Sequence, residues 1–74
     1  MATSVVKPEV MEFQVYRRGR EEKWVVTLGG AIYGAYLDKE QALLDAVDAA
    51  REASQLGRNA QVWVRDRAAA ARVF

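Results

Sequence analysis

Four basic side chains crowd one short stretch of this sequence: Arg17, Arg18, Arg20 and Lys23, with Tyr16 and Trp24 beside them. Guanidinium and ammonium groups neutralise phosphates, and aromatic faces stack on bases. This grouping therefore suits nucleic-acid binding. Glu21 and Glu22 dilute it, and a pI near 8.1 is lower than that of a strongly basic binder. Charged hairpin tips also arise simply because they face water.

Other chemistry is thinly represented. With no histidine and no cysteine, the chain lacks the commonest general base and the soft nucleophile and metal ligands. Ser4 and Ser54 have no base placed near them by the sequence. Asp45, Asp48 and Glu52 share a helical stripe that hard cations can use, but nothing around them has the form of a calcium loop. Gly29, Gly30 and Gly34 do not make a phosphate loop, since no GK[ST] follows. We expect a chain that is not an enzyme, needs no cofactor and shows no small-molecule site.

These residues must be positioned by a small scaffold. The chain has 74 residues, 51% of them hydrophobic. A chain of this size buries only about 60% of its unfolded surface, so it gains from association. The absence of cysteine suits a reducing cytoplasm. No window is long enough to span a membrane, and the N-terminus lacks the form of a secretory signal. The net charge of +1 conceals a segregation: residues 1–37 carry +1, residues 38–57 carry −3 and residues 58–74 carry +3.

The clearest element is the helix read in the stretch Tyr36 to Gly57. Asp38 can cap its first turn, with Gln41 three positions on in a capping-box arrangement. Gly57 supplies the left-handed residue that ends many helices, and Arg51 and Arg58 suit the negative end of its dipole. Leu43, Ala46, Val47, Ala50 and Ala53 recur at helical spacing, with Ala42, Ala49 and Leu56 alongside. Residues 10–17 and 23–28 alternate as strands around a glycine-bearing turn. Residues 31–37 form a third strand that Gly34 weakens or bulges. Residues 60–65 form a fourth. For residues 66–74 a short helix over 68–71 and an edge strand over 71–74 are both open.

The order β-β-β-α-β predicts an α+β fold, an antiparallel sheet with one helix across one face. Residues 10–74 form one domain, and residues 1–9, broken by Pro8, form a flexible arm. Phe13, Val15, Trp24, Val26, Leu28, Val62 and Val64 would meet the helix. Tyr16, Val25, Thr27 and Trp63, with Tyr33, would lie on the other face, which one helix cannot cover unless the C-terminal Val73 and Phe74 fold over it. Exposed aromatic and aliphatic groups on an open face or an edge mark a partner site. The expected partner is a second copy of the chain, giving a homodimer. A nucleic acid held by Arg17, Arg18, Arg20 and Lys23 is the alternative.

Trp24-Val25-Val26, the run Tyr36-Leu37-Asp38-Lys39-Glu40-Gln41-Ala42 and Val62-Trp63-Val64 resemble a family of very small bacterial domains of unknown function. Those domains share a W-x-V strand, an aromatic-x-[ST/D]-K-x-[EQ]-A helix entry and a V-x-V strand after the helix. The resemblance covers about residues 12–65 and implies an αβ fold without assigning an activity or a site. Asp66-Arg67-Ala68 departs from the Asp-Gly turn of the pattern. The helix entry after three strands is also similar to the arm-type DNA-binding domains of phage integrases. Those read the major groove with their sheet, which would give the four basic residues to phosphates.

Overall fold

The computed structural model describes residues 10–19, 23–66 and 69–74. The expected N-terminal arm and Arg20 lie outside the described residues. In chain order the elements are β1 (Val10–Arg18), β2 (Lys23–Leu28), β3 (Ala31–Tyr36), α1 (Lys39–Gln55), β4 (Asn59–Asp66) and β5 (Ala69–Arg72). The strands form one five-stranded sheet in the order β3-β2-β1-β4-β5.

The sheet is mixed, and this corrects the antiparallel expectation. β1 pairs antiparallel with β2 and parallel with β4, while β4 pairs antiparallel with β5. Chain direction explains it. Two hairpins reverse the chain twice, so β3 runs the same way as β1. The helix then carries the chain back, and β4 must run with β1 and β3 wherever it docks. The alternative for the C-terminal stretch resolves as a strand: β5 covers Ala69–Arg72. Pairing with β4 overrides the helix propensity of its alanines.

Local chemistry sets the remaining boundaries. Gly29 and Gly30 have φ of 59° and 89°, and two positive values in a two-residue hairpin loop define the turn whose twist matches antiparallel strands. The Asp38 carboxylate accepts a hydrogen bond from the Gln41 N–H at 3.0 Å. At the other end Gly57 has φ 84°. Its N–H donates to the Ser54 carbonyl and the Arg58 N–H to the Ala53 carbonyl, each at 3.0 Å. This is the paired closure of a Schellman motif.

The core lies between α1 and the sheet. Phe13, Val15, Val26, Val62 and Val64 meet Ala42, Ala46 and Ala50, with Met11, Leu28, Leu43, Val47 and Phe74 packed around them. Small side chains on the helix let it approach the sheet closely. Trp24 sits at the margin of this core, with the Lys39 ammonium 5.6 Å from the centre of its ring. Leu56 was expected on the packed face, yet as the C-cap residue it turns out and is 75% exposed.

β3 departs from simple alternation. Val26 pairs with Gly34 but Thr27 pairs with Ile32, so Tyr33 is an extra residue in a bulge. The bulge swings Tyr33 to the helix side, where its ring meets Phe13 edge-on at 5.4 Å and 89°. Tyr33 therefore leaves the opposite face to which alternation assigned it, and Ile32 takes its place there beside Thr27. Gly34 is required for a different reason. A Cβ at that position would stand 2.5 Å from the Tyr36 hydroxyl oxygen and 2.9 Å from Cζ, because the Tyr36 ring lies over the glycine.

The Tyr36 hydroxyl lies near Asp45 on α1. Burial pushes its pKa from 10.0 up to about 12, helped by the hydrogen bond to Asp45, the negative charge there and Tyr33 nearby. A folded pKa above the unfolded one gives a contribution that is whole below pH 10.0 and lost as pH rises through about 12. Tyr36→Phe is therefore expected to lose stability less steeply than the parent across that interval. Urea midpoints taken at several alkaline pH values check this, and parallel losses in the two proteins would refute it.

Candidate interaction surfaces

The register assembles the sheet face opposite α1 in two rows. Ala35, Val25, Tyr16, Arg65 and Ala70 lie side by side across β3, β2, β1, β4 and β5. Ile32, Thr27, Gln14, Trp63 and Arg72 form the next row. Tyr16, Val25, Thr27 and Trp63 are thus brought onto one face. Val25 and Thr27 lie on β2, between β3 and β1, and are only 4% and 8% exposed. Tyr16 and Trp63 are half-buried, so the aromatic pair and Ile32 are what this face offers a partner. The Trp63 indole N–H donates to the Gln61 side-chain oxygen at 3.0 Å, which fixes the tilt of the ring.

The C-terminal segment does not fold over this face. Trp63 faces Arg72 across the β4–β5 pair, and Phe74 packs instead against the helix-side core. The Val73 N–H donates to the Val62 carbonyl at 2.8 Å, holding the end of the chain beside β4.

Strand alternation divides Arg17, Arg18 and Lys23 between the two faces. Arg18 pairs with Lys23, in step with Tyr16 and Val25 on the open face. Arg17 pairs with Trp24 and belongs to the helix side. Arg20 is outside the described residues. Two further cations join the open face, Arg65 beside Tyr16 and Arg72 beside Trp63. Alternation along β4 puts Arg65 on the same face as Trp63. Arg72 had no such signal, because its face depends on the register of β5.

The two sheet edges differ. β5 is four residues long and ends in Arg72. β3 is six residues, Ala-Ile-Tyr-Gly-Ala-Tyr, with no charged side chain. Ile32 is 63% exposed and Tyr33 48%. Beside this edge, on the helix side, an apolar cleft of about 240 Å³ opens between Met11, Phe13, Leu28, Tyr33, Ala53 and Leu56. Among the described residues no helix is long and apolar enough to cross a membrane. No family model, curated protein or solved structure matches the chain.

Proposed function

We propose that this chain is a non-catalytic interaction module of the cytoplasm that works as a homodimer joined along β3. The observation that carries the reading is an uncharged six-residue edge strand with Ile32 and Tyr33 exposed. Soluble proteins blunt free edges with charges, proline or short strands, because an open ladder pairs readily with another chain. β5 is blunted in that way by its length and by Arg72, whereas β3 carries only its bulge. Antiparallel pairing of β3 with its copy puts the two-fold axis normal to the sheet and makes one ten-stranded sheet with both helices on the same side. A chain of 74 residues gains most from such sharing of apolar surface. The kinship we propose with very small bacterial αβ domains rests on Trp24-Val25-Val26, the Asp38 helix entry and Val62-Trp63-Val64.

Sedimentation equilibrium at high micromolar concentration tests the reading. The parent should have twice the 8.3 kDa mass of one chain. Ile32→Lys places a charge on the edge at an exposed position and should give the single-chain mass with an unchanged circular dichroism spectrum. Ala70→Lys makes the same change on β5 and should leave the dimer intact. A monomeric parent, or a dimer that Ala70→Lys dissociates and Ile32→Lys does not, overturns the reading.

A further inference from the structure

The open sheet face carries a charge pattern that the homodimer does not use. Among the described residues, its cations are Arg18, Lys23, Arg65 and Arg72, and its acid is Glu12. They run across the sheet from the hairpin end of β1 and β2 to β5. Glu12 stands apart near the start of β1, where the Gln14 side-chain amide donates to its carboxylate at 2.7 Å. Tyr16 and Trp63 lie within the line of cations, Tyr16 next to Arg65 and Trp63 next to Arg72. The acids of α1 project from the other side of the sheet, so the two faces of this small domain differ in sign.

We infer that this face binds single-stranded nucleic acid, with Arg18, Arg65 and Arg72 on phosphates and Tyr16 and Trp63 as base-stacking platforms. Charge complementarity selects an anionic partner. The aromatics select one with exposed planar rings, because a duplex keeps its base faces stacked inside. Sequence-tolerant binders of single strands combine these two features, a basic track for the backbone and aromatic side chains for successive bases. Arg65 and Arg72 matter most to the inference, since they turn a charged hairpin tip into a track across the sheet. Arg65 is exposed and borders a polar cleft with Arg17, Gly19 and Asp66. The Arg72 side chain is held by a hydrogen bond from Nε to the Phe74 carbonyl at 2.9 Å, which leaves its terminal nitrogens for a phosphate. The inference stands whether or not the chain dimerises, because the face lies wholly within one protomer.

The test uses fluorescence anisotropy of a labelled oligodeoxythymidine of about 12 nucleotides, within the site sizes of known single-strand binders. Three phosphate contacts give a salt slope near −2, so affinity should fall roughly 20-fold between about 50 and 200 mM salt. Arg65→Glu with Arg72→Glu, both at exposed positions, should weaken binding at least tenfold and flatten that slope. In a Trp24→Phe variant Trp63 is the sole tryptophan, and stacking should quench its emission on titration with the oligonucleotide. A duplex of the same length should bind more weakly than the single strand. No binding at the lower salt, equal affinity for duplex and single strand, or unchanged affinity in the double arginine variant each overturns the inference.

Discussion

Phe13→Ala is expected to be among the most destabilising single substitutions in this fold. Phe13 is 1% exposed and is the bulkiest of the fully buried side chains. It stands on the central strand, paired with Leu28 on one side and Val62 on the other, and its ring lies nearly perpendicular to that of Tyr33, with centroids 5.4 Å apart. Deleting a buried phenylalanine costs about 3–5 kcal/mol, in lost transfer energy and in the cavity left behind. A chain of this length has on the order of 4–11 kcal/mol in total. The loss therefore takes about a quarter of that stability at the least and all of it where the total is lowest. The ring also walls the cleft under Leu56, so water gains access to the vacated space and the core does not simply close over it. Phe13→Leu keeps most of the volume and should cost about 1 kcal/mol. Urea unfolding followed by tryptophan emission separates the two, and a Phe13→Ala midpoint close to that of Phe13→Leu would show that the ring is not the keystone of the core.

Phe13 also marks where the sequence is easy to read and where it is not. Alternation in β1 and β2 placed Phe13, Val15 and Val26 on the helix side correctly, because their burial follows from a period of two and needs no partner. Asp38, Gln41 and Gly57 likewise fixed the helix through bonds made within a few residues. Tyr33 was misplaced because a bulge changes the parity of everything before it, and only the pairing of β2 with β3 reveals the extra residue. The β1–β4 pair shows a different failure. Its parallel direction follows from counting reversals along β-β-β-α-β, and that count was available once the elements were named. Its position beside β1 was not available, because it depends on which edge the helix crosses to. The same dependence hid the open face. Arg65 could be placed beside Trp63 from β4 alone, but Arg72 joins it only through a strand whose alanines favour a helix in isolation.

Ala46→Leu is expected to destabilise the domain by about 2–3 kcal/mol, while Ala49→Leu, three residues along, is expected to be neutral or stabilising. The chemical change is the same, and helix propensity barely distinguishes alanine from leucine at either site. The difference is in the space each side chain faces. Ala46 is fully buried in the row Ala42, Ala46, Ala50, each 0% exposed, above Val15, Val26 and Val62, which are also 0% exposed. A larger side chain there has nowhere to go. The helix must lift from the sheet or its neighbours must leave their preferred rotamers, and overpacking of a filled core typically costs about 1–3 kcal/mol. Ala49 is half-buried and lines the cleft of about 240 Å³ between α1 and the edge formed by Leu28 and Tyr33. Three added carbons can enter that cleft and remove apolar surface from water, at about 25 cal/mol per Å² covered. Thermal midpoints of the two variants decide the matter. If Ala49→Leu falls as far as Ala46→Leu, the cleft is not open space in solution, and the close approach of helix to sheet extends to the edge of the domain.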